Sequence, residues 1–288
     1  MPETRYRTMD VNGLDIFYRE AGAAAAPVIL LLHGFPSSSR MFRKLIPMLA
    51  DKYRVIAPDY PAFGHSSVPP RSEFRYTHAH LSEVVEAFIE KLHISRFAMY
   101  VMDFGGPIGY RLMLEFPDRV MGVVIQNAPA FGEITDGPLW AAELAYWKDG
   151  SSLHRDAVRF KLTLDSVRNQ YVAGTLDPSL IDPDNWTIDG ALLARPGVDE
   201  IMLDLIYDIR NNRQTVAEAR QFFKTHQHQV MIATGVNDPL FPGASVKPPA
   251  DMPEIEFHPI NSGHFALEDS CAEIGSLTRA FLQRVMPA

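Results

Sequence analysis

One cysteine, Cys271, is all that a chain of 288 residues contains. An internal disulfide is excluded, which fits a reducing compartment, and the cytoplasm is the expected location. Excess positive charge is missing too. Lys and Arg number 27 against 35 Asp and Glu, a net charge of −8, so no basic stripe is available for phosphate backbones and nucleic acid is not an expected partner. No apolar run is long enough to span a bilayer, and the opening MPETRYRTMDVNG has no apolar signal core, so a soluble protein with no membrane partner is expected. Repeats and low-complexity tracts are absent. Two nucleotide signatures also fail: GGPIG at Gly105 to Gly109 is not GxGxxG, and DFG at Asp103 to Gly105 lacks the phosphate loop, strand lysine and HRD loop that a kinase places upstream.

What is present is a globular chain long enough for one elaborated domain or a core with a smaller insert. The segments on either side of Asn12-Gly13 alternate in polarity, and that dipeptide is typical of a tight hairpin turn, so the chain should begin as antiparallel sheet. Short apolar runs follow at Val28 to Gly34, Tyr53 to Pro61, Arg96 to Asp103 and Val120 to Ala130, with helical patterns such as SEVVEAFIEKL between them. This alternation predicts a parallel sheet covered on both faces. From about Gly132 to about Asn212 the strand signal disappears; LWAAELAYWKDG, AVRFKLTLDSVRNQYV and DEIMLDLIYDIRNN read as helices joined by loops. Strand-like runs resume at Gln229 to Gly235 and Glu254 to Ile260, before a final helix that includes Ser276 to Val285. The expected organisation is an α/β core over residues 1–131 and 213–288, interrupted by a helical cap over 132–212.

In doubly wound sheets, ligands bind beyond the carboxyl ends of the strands, so the residues that follow each apolar run are the ones to collect. They are HGFP (His33 to Pro36), Asp103 in VMDFGG, Asp238 in TGVNDP and His264 in NSGHF. Each has a bland reading when taken singly: Asp103 as a helix N-cap, Asp238 as a turn residue, His264 as a polar loop residue. Together they follow the chain order nucleophile, acid, histidine, with the first acid on a sharp strand-turn-helix.

That order, with the N-terminal hairpin, the HG-x-P loop, the PDYPAFGHS stretch, the elbow and the NDP and GH signals, resembles the α/β-hydrolase fold over nearly the whole chain. The resemblance implies a mostly parallel eight-stranded sheet with an inserted helical cap. Esterases and lipases carry Ser at the elbow, whereas here it is Asp103, and a carboxylate can displace a leaving group from an sp3 carbon to give an alkyl-enzyme ester. His264, oriented by Asp238, would then activate the water that cleaves the ester; some relatives place the acid after the earlier strand, near Asn127 here. By the same resemblance the backbone amides of Phe35 and Phe104 form the oxyanion hole. Epoxide hydrolases, haloalkane dehalogenases and fluoroacetate-type dehalogenases are the similar aspartate-nucleophile branches.

Several residues separate these branches. Haloalkane dehalogenases hold the halide with a Trp after the nucleophile and an Asn or second Trp as partner, but Phe104 and Phe35 stand here. Fluoroacetate-type enzymes place arginines directly after the nucleophile, whereas Arg111 is eight residues away. HGFP resembles the epoxide-hydrolase form of the oxyanion loop, so opening of an epoxide to a diol is the expected reaction. Val101, more typical of dehalogenases, keeps a haloalkane or haloacid dehalogenase as the alternative, and a non-catalytic receptor of the same fold is a second alternative. Epoxide hydrolases place two cap tyrosines over the ring; Tyr146 and Tyr207 are the candidates by position, although Tyr207 lacks the usual YR context and similarity would put the first position nearer Glu143. His33, Pro36, Trp140 and Trp147, with Phe35, Phe104 and Met102, are expected around an apolar pocket, His33 mainly holding its loop by hydrogen bonds. His78 and His80, like His226 and His228, are spaced for a metal pair but show no third ligand, so neither a metal nor a cofactor is expected. A small apolar epoxide or haloalkane-like substrate and water are the expected partners, and the chain is expected to be a monomer or homodimer.

Overall fold

A computed structural model of the protein describes residues 3–131, 138–241 and 246–287. Its sheet has eight strands: β1 (Arg5–Val11), β2 (Leu14–Ala21), β3 (Val28–Leu32), β4 (Arg54–Pro58), β5 (Phe97–Met102), β6 (Val120–Gln126), β7 (Val230–Gly235) and β8 (Glu256–Ile260). Their order is β1-β2-β4-β3-β5-β6-β7-β8. The hairpin β1–β2 turns at Asn12 and Gly13, whose φ angles of 54° and 85° are the left-handed pair that Asn-Gly supplies cheaply. β2 lies antiparallel to β4, and every pairing from β4 to β8 is parallel. β3, β5 and β7 are buried along their whole length, which is why they read as unbroken apolar runs.

Helices α1 (Ile46–Leu49), α2 (His78–Lys91) and α3 (Gly105–Glu115) alternate with these strands. Thr77 starts α2 by accepting a 3.1 Å hydrogen bond from the His80 amide, an ordinary N-cap. The helical insert contains α4 (Ala141–Asp149), α5 (Ser152–Ala157), α6 (Leu164–Val172), α7 (Asp184–Leu193) and α8 (Val198–Asp208), and α9 (Arg213–Thr225) and α10 (Cys271–Val285) complete the core. The expected start of the insert, Gly132, lies outside the described residues. The stretch expected as one helix from Ala157 to Val172 is divided. A 3-10 turn covers Arg159–Leu162, and Thr163 then caps α6 by accepting from the Ser166 amide, because a Thr hydroxyl can hold a new helix start more readily than it fits a helix interior.

The insert has a small apolar centre of its own, Tyr146, Val158, Leu203 and Ile206. It meets the core through apolar contacts from α6 to α8, with Tyr171 stacked on Phe265 at 4.0 Å, and through polar ones: Arg71 bonds Asp204 bidentately at 2.6 and 2.9 Å, Arg195 donates to the Ala62 and Gly64 carbonyls, and Asp208 accepts from both the amide and Nδ1 of His78. Cys271, at the start of α10, is buried beside Met48, and burial pushes its thiol up to about 11. Among the described residues, no helix is long and apolar enough to cross a membrane.

Candidate active site

β5 delivers Asp103 to the carboxyl edge of the sheet, and the chain turns there at once into α3. Asp103 has φ = 50°, a left-handed conformation that costs a non-glycine residue about 1–3 kcal/mol. Burial of one or two large apolar side chains, at about 1.5–3 kcal/mol each, offsets that strain. The turn is held by the Asp103 amide donating to the Asn127 carbonyl at 3.1 Å and the Gly106 amide donating to the Asp103 carbonyl at 2.9 Å. Two glycines are required by close approach. A Cβ on Gly105 would lie 2.1 Å from the Leu32 carbonyl oxygen, and one on Gly34 would lie 2.3 Å from the Asp103 Cβ. With that space kept clear, the Phe35 amide donates to Asp103 Oδ1 at 2.8 Å. Burial raises the Asp103 carboxyl above its ordinary value, although His264 and the Phe35 and Phe104 amides all favour the anion.

Asp238 follows β7 and His264 follows β8, so neighbouring strand ends bring them together. His264 Nδ1 lies 2.8 Å from Asp238 Oδ2, while Nε2 faces Asp103 Oδ2 across 4.0 Å with no hydrogen-bond partner among the described residues. Burial alone would lower the His264 value. The charge and hydrogen bond of Asp238, and the charge of Asp103, outweigh it and raise the imidazole above its ordinary value. Asp238 is lowered despite burial, because His264, the Leu240 amide at 2.7 Å and the Asn127 side-chain amide at 2.7 Å all support its negative charge. Asn127 Oδ1 also accepts from the Gly235 amide at 3.0 Å, so this one residue ties the elbow to the acid-bearing loop. That bridging role was not legible beforehand; the visible signal was a polar residue directly after an apolar strand.

A cavity of about 130 Å³ opens over Asp103 and His264. The sheet side supplies Phe35 and Phe104; Pro239, Leu240 and Phe241 form one flank, and the insert adds Trp140, Phe160, Ile206 and Ile209. Trp140 lies where expected, but its indole N–H donates to the Leu240 carbonyl at 3.2 Å. Two charged residues of the insert, Glu143 and Lys161, reach the same cavity and form an ion pair. Glu143 is 1% exposed and its carboxylate has no other partner among the described residues; the Lys161 ammonium also lies 5.1 Å from the centre of the Trp140 ring. Burial pulls Lys161 down to about 8, against the opposite pull of the Asp103 carboxylate. No motif marked Lys161: RFKLT reads as part of an ordinary helix.

Four expected pocket residues, His33, Pro36, Trp147 and Met102, and both candidate tyrosines lie away from the cavity lining. Tyr146 is buried in the insert, its hydroxyl oxygen accepting from an Arg155 guanidinium N–H at 2.6 Å, and its ring packs on Tyr207 at 4.6 Å. Tyr207 lies under the Arg210 guanidinium at 3.7 Å, and its helix turns Ile206 toward the cavity instead. Trp147 stacks behind Trp140 and donates to the Ile206 carbonyl at 2.7 Å. His33 is fully buried, stacked on Tyr60, and burial lowers it to about 4, so it serves its loop as a neutral hydrogen-bonding ring. Pro36 follows Phe35 through a cis peptide and does not reach the cavity, and Met102 stays in the core. His78 is engaged by Asp208, and among the described residues no group of His, Cys, Asp and Glu could hold a metal ion.

Comparison with known proteins agrees with this architecture. The alpha/beta hydrolase fold model matches residues 27–270. An uncharacterised hydrolase of Saccharomyces cerevisiae is 38% identical over 264 residues, 89% of each chain. A haloalkane dehalogenase of Psychrobacter cryohalolentis is 39% identical over 115 residues, but that match spans only 40% of this chain and 38% of that protein. Among solved structures, a putative ancestral haloalkane dehalogenase superposes with a TM-score of 0.80 at 21% identity, covering 98% of this chain and 100% of that one. The epoxide hydrolase CorEH superposes at 0.74 with 17% identity, over 98% and 100%. At such identities the structural likeness speaks for the fold alone. The sheet order, the elbow and the family match together make this protein a hydrolase that belongs to the α/β-hydrolase fold family.

Proposed function

We propose that the protein opens a neutral epoxide to a vicinal diol through an alkyl ester on Asp103. The observation that carries this reading is the Asp103 carboxylate itself: one oxygen is held by the Phe35 amide, the other is turned toward the buried, unpartnered Nε2 of His264. A serine at this elbow would support acyl transfer, whereas a carboxylate supports displacement at carbon. His264, with Nδ1–H directed to Asp238, then takes a proton from the water that attacks the ester carbonyl, and the Phe35 and Phe104 amides stabilise the oxyanion.

Charge argues for a neutral substrate. Among the described residues, Asp103, Asp238 and Glu143 are offset only by Lys161 and, when protonated, His264, so a haloacid carboxylate would enter an already anionic site. A departing halide would find few neutral side-chain donors, since the rings of Phe35 and Phe104 have none and the indoles of Trp140 and Trp147 are engaged by backbone carbonyls. Haloalkane dehalogenation is the second reading, favoured by Val101 and by the 39% local identity to haloalkane dehalogenases. The test is multiple turnover of styrene oxide, 1,2-epoxyhexane and 1-bromohexane in oxygen-18 water, followed by mass spectrometry of the Asp103 peptide. Diol formation with label entering Asp103 is the expected result. Bromide release outpacing both epoxides would favour the dehalogenase, and turnover without label in Asp103 would reject the ester mechanism.

A further inference from the structure

An epoxide leaves as an alkoxide tethered to the new ester, and an alkoxide is a poor leaving group unless a proton reaches it. The tyrosines that should supply that proton are turned into the insert. The cavity wall contributed by the insert has one cationic donor, Lys161, and the protein has arranged unusual support for it. Glu143 holds it from α4, the Trp140 ring faces it, and its charge is felt at both Asp103 and His264. These four are the charged or titratable residues along the cavity among the described residues.

Resting on the epoxide reading above, we infer that Lys161 is the acid that protonates the epoxide oxygen, with Glu143 as the positioning residue that keeps the ammonium aimed into the cavity. A buried Lys–Glu pair is a poor way to gain stability, because desolvation cancels most of the attraction. A substrate carboxylate is a poor occupant for it, because Glu143 already neutralises the lysine. A transient alkoxide is better matched: it needs a proton at one moment and leaves no charge behind.

The step balances as follows. A carboxylate oxygen of Asp103 forms a bond to a ring carbon while the carbon–oxygen bond of the epoxide breaks, its electron pair passing to the ring oxygen. That oxygen takes a proton from Lys161, giving a hydroxy-alkyl ester and a neutral amine. Water then adds to the ester carbonyl as His264 takes its proton; the ester bond breaks, and the imidazolium returns that proton to the departing alcohol. The carboxylic acid left on Asp103 loses its proton, which restores the Lys161 ammonium through solvent. The sum is epoxide plus water to diol.

Rapid-quench mass spectrometry of ester formation in a His264→Gln background isolates the first half of this cycle, with styrene oxide, 1,2-epoxyhexane and 1-bromohexane as probes. In that parent, ester formation from the epoxides should rise as Asp103 ionises and fall above about pH 8 as Lys161 loses its proton. Lys161→Met combined with Glu143→Gln, which leaves no unpaired buried charge, should slow ester formation from the epoxides about 10²- to 10³-fold. Any labelling by 1-bromohexane, whose leaving group needs no proton, should keep the parent rate. Lys161→Arg, which preserves the charge, should retain ester formation and lose the alkaline fall, a change that a purely structural lysine would not produce. Parent-rate ester formation from epoxides in the folded double variant, or an alkaline fall unchanged in Lys161→Arg, would overturn the assignment while leaving Asp103 as nucleophile. Labelling of the parent by 1-bromohexane and by neither epoxide would instead overturn the epoxide reading, and with it this one.

Discussion

The two walls of the cavity are built by different means. The sheet wall consists of residues placed at strand ends: Asp103 after β5, Asp238 after β7, His264 after β8. A parallel ladder fixes the relative height of such positions, so side chains distant in sequence are brought into register by backbone hydrogen bonds alone. The insert wall comes from helix faces, where one residue of difference rotates a side chain by about 100°. Ile206 lines the cavity and Tyr207 does not. Chemistry at the strand ends is thus robust to sequence variation elsewhere, while the insert can exchange its cavity-facing residues by small rotations without disturbing the sheet.

The largest test of this contrast falls on the sheet wall. His264→Gln should still allow Asp103 to be alkylated once and should depress turnover by about 10⁴-fold or more, measured as accumulation of an enzyme adduct by intact mass; steady turnover in that variant would remove His264 from the mechanism. Asp238→Asn should lower turnover by about 10⁴-fold while the fold survives, because the imidazole loses both its tautomer and the counter-charge. Comparison of thermal unfolding of that variant with wild type checks that the loss is chemical.

The junction between the walls should show an intermediate effect, on stability. Asp208 is held at about 2 because the His78 ring, its amide and Asn211 outweigh the cost of burial. A depressed carboxyl contributes stability that is complete above the unfolded value of about 4 and is lost as pH falls toward 2. Asp208→Asn should therefore lower the urea midpoint near pH 7, and the gap to wild type should narrow as pH falls below 4. A gap independent of pH would show that the carboxylate charge does not hold the insert to the core. The smallest effect is expected inside the insert. Tyr146→Phe deletes one hydrogen bond to Arg155, worth about 1 kcal/mol or a few degrees in Tm, and Tyr207→Phe should be milder. Both should leave kcat within about threefold of wild type; a drop of about 10² would return the tyrosines to the reaction.

The same contrast explains what could be read from the sequence. Asn12-Gly13 announced the hairpin through local turn chemistry, and unbroken apolar runs announced β3 to β7 because a parallel sheet covered on both faces buries its strands along their length. The strand-end residues were legible for the same reason: Asp103 stands directly after an apolar run, and Asp238 and His264 stand in the short turns just beyond the later strands. Spacing along the insert pointed to Tyr146 and Tyr207, but spacing counts residues and ignores the helix face. Glu143, three residues before Tyr146, turns into the cavity with Trp140, while Tyr146 turns to Arg155. Lys161 escaped notice because Thr163 ends one helical turn and begins another, a break that redirects the lysine inward and that RFKLT does not advertise.

The concealment of Cys271 has a consequence for housekeeping rather than for catalysis. Epoxides and alkyl halides modify thiols by reacting with the thiolate, so under the proposed function an accessible cysteine would be open to attack by the substrate itself. Here the sole thiol is sealed under Met48 at the foot of α10 and stays protonated up to about pH 11. Alkylation of the thiol is disfavoured, so under the proposed function a covalent mark left by an electrophile would point first to the Asp103 carboxylate.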